Sequence, residues 1–319
     1  FITRKIKSTL LGIILISIFA IDVFIVNKGF LQTFQNKTEE IFPPTATVKF
    51  LQRDTSLHRV FPIRQFQEHD NSWMYFGIQT MGGYSPAKLK IYQEMVDSCL
   101  YKGWDEQFPL NMNIVNMLNV KYLVAPGRLP DDKFKLANVD QEKSELVYEN
   151  SGCLPRVLFV DSVIVAGKSE TYRLLNSSEF NPRHSAILQK PLSTVIQPSL
   201  NSNVSVKSFG AHKIEVATQN SASSLLVLSE IYYPAGWHAF VDGNETEIYR
   251  TNSILRSIVV PSGNHQVIFA YESKAYATGL FVSYIGWAVA LLLAGIGYYF
   301  YHSKRNRTVM ISESQNEIM

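Results

Sequence analysis

The sequence has few of the residue patterns that carry chemistry. Cysteine is nearly absent: only Cys99 and Cys153 occur in 319 residues, so no disulfide framework is available. Two lone cysteines more often sit in a core than pair, and both readings stay open. The seven histidines are scattered, without the spacing that gathers ligands around zinc. There is no HExxH helix, GxSxG elbow or dinucleotide-binding turn. Gly167-Lys168-Ser169 resembles the end of a phosphate loop, but Ser162 stands where that loop needs glycine, so it reads as a turn. The adjacent carboxylates Asp105-Glu106 and Asp131-Asp132 read as solvated loop charges rather than an acid–base pair. A net charge of +3 is too close to balance for a nucleic-acid surface. No internal repeat or low-complexity tract is present. The sequence therefore predicts no metal, no cofactor and no nucleic-acid partner.

What it does have is two long apolar runs. The first is Leu10 to Val26 and the second about Ala277 to Tyr301. A membrane helix needs about 20 apolar residues; the second run reaches that, and the first is short and contains Asp22. An intramembrane carboxylate costs about 2.5–3.5 kcal/mol on insertion scales, so Asp22 either faces a polar partner or reaches interfacial water. Arg4, Lys5 and Lys7 precede the first run, and Lys304, Arg305 and Arg307 follow the second. By the positive-inside rule both ends are cytoplasmic, and the residues between the helices are extracytoplasmic. Tyr284, Trp287, Tyr298, Tyr299 and Tyr301 fit interfacial belts. A signal peptide is the alternative for the first run, but it lacks a small-residue cleavage site. The sequons at Asn36, Asn176, Asn203 and Asn244 matter only in a eukaryotic secretory pathway. The chain opens on Phe1, which reads as a piece of a longer polypeptide.

The region between the helices is long enough for two small cores. From about 45 to 190, strand and helix signals mix. His58 to Ile63 reads as a strand stopped by Pro62. Ser85-Pro86 provides an N-cap and a first-turn proline for a helix whose Leu89, Tyr92, Met95 and Val96 share a face. Asn113 to Leu118 reads as a helix, and Lys121 to Ala125, Leu146 to Tyr148 and Arg156 to Val165 as strands. From about Ser193 to Ser273, Lys213 to Val216 and His265 to Tyr271 alternate, Leu225 to Leu228 is a buried run, and Asp242-Gly243 and Pro261 to Asn264 are turns. The expected fold is an α+β membrane protein. Flank 1–9, helix 10–27, mixed α/β subdomain 28–192, β-sandwich 193–274 of jelly-roll or immunoglobulin-like type, helix 275–301 and basic tail 302–319 follow in order.

Aromatic residues gather in Ile231 to Val241, IYYPAGWHAFV. Such rings either stack on sugars or fill the core around the Pro-Gly turn. The stretch SEIYYPAGWHAFVDG from Ser229, with IYRTNSILRSIVVPSGNHQVIFAYES after it, resembles the C-terminal region of the YfhO family of bacterial membrane proteins. So do Arg59-Val60-Phe61, Gly83-Tyr84-Ser85-Pro86 and Met117 to Leu123. The resemblance implies a larger, multi-pass protein of the GT-C glycosyltransferase type in the bacterial cytoplasmic membrane. Such enzymes move a sugar from a polyprenyl-phosphate donor to an extracytoplasmic acceptor such as a cell-surface glycopolymer. The general base lies in an early outer loop outside this sequence, so no catalytic residue is assigned.

The expected partners are the lipid bilayer, the remaining membrane helices, the lipid-linked sugar and the glycan. Candidate binding residues are Tyr232, Tyr233, Trp237 and Arg250 in the aromatic region, with Arg59, Tyr84 and Lys88 before it. Gly82-Gly83-Tyr84 would place free N–H groups near a helix start, where a phosphate fits, or forms a plain capped turn. The rival function is a membrane-tethered structural or adhesion module, since folds do not fix functions.

Overall fold

The computed structural model describes residues 8–30, 42–64, 71–101, 109–130, 134–198 and 202–316. Asp105-Glu106, Asp131-Asp132, Asn36 and the basic residues Arg4, Lys5 and Lys7 lie outside them, as do the side chains of Lys304, Arg305 and Arg307. Helix α1 (Ser8–Phe30) and helix α7 (Lys274–Asn316) bracket the rest. Leu10–Phe30 and Lys274–Phe300 are long and apolar enough to cross a membrane, with mean hydropathy 2.6 and 2.0. Neither is covered by other parts of the chain. Asp22 is exposed on α1. Helix α7 continues past the apolar run into the basic segment.

Between them lie three sheets. The first has the order β1 (Arg59–Pro62), β2 (Val120–Ala125), β4 (Glu145–Glu149), β3 (Lys135–Asp140), with β1 and β2 parallel and the other pairs antiparallel. Along β2 alternate side chains face opposite sides. Tyr122 and Val124 join Val48, Leu51 and Trp73, on helices α2 (Ala46–Arg53) and α3 (Ser72–Tyr75). Leu123 and Ala125 face the other way, toward α4 (Lys90–Met95), its continuation as a π turn (Val96–Leu100), and α5 (Met112–Met117); Val120, where the pairing with β1 is irregular, joins the same core. The start of α2 is fixed by the Thr45 hydroxyl, which accepts from the Val48 amide at 3.2 Å, and by the Asp140 carboxylate, which accepts from the Thr47 amide at 3.1 Å.

A six-stranded sheet follows in the order β5 (Val157–Val160), β10 (Ser224–Ile231), β14 (Leu255–Val260), β13 (Tyr249–Thr251), β7 (Ser185–Leu188), β6 (Ser162–Val165). A five-stranded sheet has the order β12 (Asn244–Thr246), β11 (Trp237–Val241), β15 (Gly263–Tyr271), β9 (Lys213–Asn220), β8 (Asn203–Phe209), all antiparallel. The two sheets share one apolar core. The other face of the six-stranded sheet shares a core with the first sheet and its helices. Strand β10 makes both cores: Leu226 and Leu228 face the five-stranded sheet, Leu225 and Val227 the helices. A strand buried on both faces has no reason to alternate, which is why this run is uniformly apolar.

Several local expectations shift. Ser85 and Pro86 do not start a helix. They form a turn in which the Ser85 hydroxyl accepts from the Ala87 amide at 3.3 Å, and α4 begins at Lys90 without a side-chain cap. Gly167 is not a plain turn but the N-cap of helix α6 (Lys168–Leu175). Arg156 to Val165 breaks at Asp161 into β5 and β6, two strands at opposite ends of one sheet. That sheet draws β5, β6 and β7 from before residue 193 and the rest from after it, so the compositional change near 193 is not a break in the structure. Cys99 and Cys153 do not pair with each other; burial pushes the Cys153 thiol up to about 11, which keeps it an unreactive thiol.

Candidate functional site

The end of the six-stranded sheet nearest α7 carries the polar chemistry. Trp237 opens β11 directly opposite Tyr271, the last residue of β15, and α7 starts at Lys274. The turn before Trp237 is tied to this junction, since the Glu272 amide donates to the Gly236 carbonyl at 2.7 Å. Gly236 is required there: its φ is +95° and a Cβ would lie 2.8 Å from the Glu272 carbonyl oxygen. Strand β10 runs into this turn, and Ser229 and Glu230 near its end meet Arg59, the first residue of β1.

Arg59 makes that meeting. Its Nη1 donates to the carbonyls of Leu118 and Ser229, both at 2.9 Å, and its Nη2 to Glu230 Oε1 at 2.7 Å. Arg156, just before β5, donates from Nη1 to the same Glu230 oxygen at 2.8 Å and from Nη2 to Gln79 Oε1 at 2.7 Å. Arg256 of β14 donates from Nη2 to the Ile231 carbonyl at 3.0 Å, and its guanidinium lies 4.1 Å from the Trp237 ring centroid. Burial lowers the Arg156 guanidinium to about 10, with the charge of Arg59 adding to the shift. Burial likewise lowers Arg256 to about 10. Both remain cations at neutral pH.

Two cavities flank the Arg59–Glu230 bridge. On the Arg59 side, a cavity of about 280 Å³ has mainly apolar walls, including Met81, Leu89, Leu118 and Ile231, with Arg59 and Lys88 as its cations. Tyr92 also lines it and donates its hydroxyl to the Met81 carbonyl. On the Glu230 side, a second cavity of about 300 Å³ is lined by Gln79, Phe209, Glu230 and Trp237 among others.

The structure thus brings Arg59 and Lys88 into one cavity and Trp237 into its neighbour. Tyr233 is 41 % exposed and lines a separate cavity of about 380 Å³ beside Lys274. Tyr232 is half-buried, its amide bonded to the Ile254 carbonyl at 2.6 Å. Arg250 is half-buried and donates from Nε to the Ser253 carbonyl. Tyr232, Tyr233, Trp237 and Arg250 therefore do not form one exposed platform for a sugar. Trp237 packs against the core between the two sheets. Tyr84 is 62 % exposed and stands apart: Asn71 clamps its backbone, accepting from its amide at 2.8 Å and donating to its carbonyl at 2.9 Å. The Gly82 to Tyr84 segment offers no helix N-terminus, because α4 starts later.

Glu230, Arg156, Arg256 and Gln79 were not singled out from the sequence. The signal available was faint: Arg256 sits in a strand, LRSIVV, that is apolar apart from Ser257, and a charged residue there needs a partner.

A second polar cluster lies beyond β1. Asp54 Oδ2 accepts from Lys121 Nζ at 2.6 Å and from the Tyr122 hydroxyl at 2.9 Å. Burial pushes the Asp54 carboxyl up, but the bonds from Lys121, Ser56 and Tyr122 outweigh it and hold it well below the carboxylate range. Ser56 and His58 are beside it, yet Ser56 Oγ and the Asp54 carboxylate both lie on the Nδ1 side of His58, at 3.3 and 3.9 Å. A nucleophile–base–acid relay needs them on opposite ring nitrogens, so this is an ion-pair network. Among the described residues, no group of three or more His, Cys, Asp or Glu is placed to hold a metal.

The decisive comparison concerns the two-sheet unit. Residues 181–283 match the family described as bacterial membrane protein YfhO. The match agrees with the C-terminal region of that family, the resemblance carried by the YYPAGW stretch. The YfhO match takes in Glu230, Trp237, Arg250 and Arg256, and leaves Arg59, Lys88 and Arg156 outside it. The match and the two apolar helices agree in supporting a place in the membrane. No curated protein and no solved structure matches the chain.

Proposed function

We propose that this chain is the C-terminal part of a multi-pass GT-C-like glycosyltransferase of the bacterial cytoplasmic membrane. The region between the helices is extracytoplasmic, and its two-sheet unit is a β-sandwich of jelly-roll or immunoglobulin-like type. It serves the enzyme by binding the acceptor or covering the lipid-linked donor, and bond making belongs to the part of the enzyme that precedes it. One observation carries this reading. A mainly apolar cavity with two cations, Arg59 and Lys88, has in its wall Ile231, the last residue of β10, just before the turn whose Gly236 is bonded to Glu272 two residues ahead of α7. An apolar wall with cations near a membrane suits an anionic amphiphile such as a polyprenyl-phosphate sugar. The exposed helices α1 and α7 then pack against the remaining membrane helices, where Asp22 finds a polar partner.

The test uses membranes containing the full-length enzyme and a polyprenyl-phosphate sugar. Lys88→Gln is exposed and leaves the fold intact, and is expected to lower transfer about tenfold, the value of one charge-assisted hydrogen bond. The isolated chain is expected to transfer nothing. Transfer by the isolated chain, or full activity in Lys88→Gln, would overturn the assignment.

A further inference from the structure

The cavity of about 380 Å³ beside Lys274 is set in depth by the helix it adjoins. At 1.5 Å per residue, the 27-residue span Lys274–Phe300 is about 40 Å long, the thickness of a bilayer with its headgroup layers. With that span in the membrane, Lys274 lies among the headgroups. The domain follows closely: β15 ends at Tyr271, and only Glu272 and Ser273 precede α7. The wall formed by Tyr233, Pro234 and Gly236 is tied to the same point. The Gly236 carbonyl accepts from the Glu272 amide at 2.7 Å, and a Cβ on Gly236 would come within 2.9 Å of the Tyr271 ring. The Ser273 hydroxyl accepts from the Tyr276 amide at 3.2 Å, which fixes the first turn of α7. The cavity is therefore held at the level of the membrane surface.

The side chains suit that level. Tyr233 is 41 % exposed and Tyr276 71 %. Tyrosine collects among headgroups, where its ring is covered and its hydroxyl stays wet. The cavity wall also carries one carboxylate and one ammonium, Glu272 and Lys274, both exposed. Neither is in an ion pair among the described residues. His238 lines the cavity too, but its Nδ1 lies 2.6 Å from Glu245 Oε1, so that acid is already engaged. The volume falls in the range of small-molecule pockets.

We infer that this cavity seats the headgroup of a zwitterionic phospholipid, with Lys274 as partner of its phosphate and Glu272 as partner of its ammonium. A headgroup with both charges satisfies both side chains, whereas a purely anionic one leaves Glu272 facing a like charge. The Tyr233 ring adds an aromatic surface that favours a cation. The inference rests on α7 crossing the membrane and not on glycosyl transfer.

The experiment places the whole chain in discs of equimolar phosphatidylethanolamine and phosphatidylglycerol. Native mass spectrometry then counts the lipids that stay bound when the disc is removed. An excess of phosphatidylethanolamine is expected. Glu272→Gln is expected to lower that excess about two- to fivefold, the value of one exposed ion pair. Lys274→Gln is expected to lower retention of both lipids, since both carry the phosphate, and Glu170→Gln, on the exposed surface of α6, to change neither. A preference for phosphatidylglycerol in the wild type, or an excess unchanged in Glu272→Gln, overturns the inference. Extraction of membranes with alkaline carbonate separates the two levels. A chain that stays in the membrane without the lipid preference overturns the headgroup site alone; a chain released by carbonate overturns the crossing of α7 and the site with it.

Discussion

Glu230→Gln is the most informative single substitution. It preserves shape and keeps an oxygen for one bond, but removes the charge that faces Arg59 and Arg156 at 2.7 and 2.8 Å. The Arg156 side chain is 1 % exposed and that of Arg59 12 %. Arg156 does not reach water to recover the lost interaction, and Arg59 reaches it only in part. Breaking a buried pair by removing one partner costs about 3–5 kcal/mol. For a unit of this size each kcal/mol shifts the melting temperature by about 2–4 °C, so a drop of roughly 6–20 °C is expected. The assay is a thermal melt of the full chain in neutral nanodiscs, followed by tryptophan fluorescence, because Trp237 lines the affected cavity. The exposed Arg173–Glu170 pair supplies the control, and Glu170→Gln is expected to melt with the wild type. A Glu230→Gln melt within 2 °C of the wild type would mean that the arginines need no carboxylate, and the reasoning from burial would fail.

Gly236→Ala forces a left-handed residue to carry a Cβ against the Glu272 carbonyl. It is expected to lower stability by about 1–3 kcal/mol in the same melt, and an unchanged melt would show that the turn relaxes freely. Asn252→Ala removes the side-chain oxygen that accepts from the buried Ile187 amide at 2.8 Å, at a left-handed position of φ 48°. The unpaired amide costs about 1–3 kcal/mol, and Asn252→Gly should recover only the backbone part; equal melts for Asn252→Gly and wild type would remove the bond's role. His265 gains a pH signature from Asp242, whose hydrogen bond raises the histidine while His265 in turn lowers the Asp242 carboxyl. The pair's stabilisation is full between the unfolded values of the two groups, about 3.9 and about 6.5. The histidine share is present below its unfolded value of about 6.5 and fades as pH rises through the raised one. The melting-temperature gap between wild type and His265→Gln should therefore close with alkali; a gap that widens would reverse the sign.

Much of the fold was legible because periodicity reports burial directly. The two apolar runs, β2, the five-stranded sheet's β9 and β15, and the uniform run of β10 each carry one pattern per environment. Asn119 was legible as part of a helix-to-strand segment, and its φ of 57° shows why a residue tolerant of the left-handed region stands there. The start of α4 was not legible. Ser85-Pro86 has the composition of a cap, but the Ser85 hydroxyl closes a local turn instead, a competition that only geometry resolves. The site was the least legible part. Arg59 and Lys88 were named, but the pairing of Arg59 with Glu230, and of Arg156 with Glu230 and Gln79, depends on contacts across 74 to 171 residues of sequence, which no local pattern encodes.

Strand β10 also sets an order of events during synthesis. Strands β5, β6 and β7 leave the ribosome before β10, β13 and β14, yet in the finished sheet the later strands sit between β5 and β7. Until residue 260 has been made, the early strands have open edges and no centre to join, the condition that invites misassembly with neighbouring chains. β15 then completes the second sheet and α7 follows almost at once. Helix α7 therefore emerges as the domain closes, and a nascent chain arrested before residue 224 should engage chaperones that the finished protein does not.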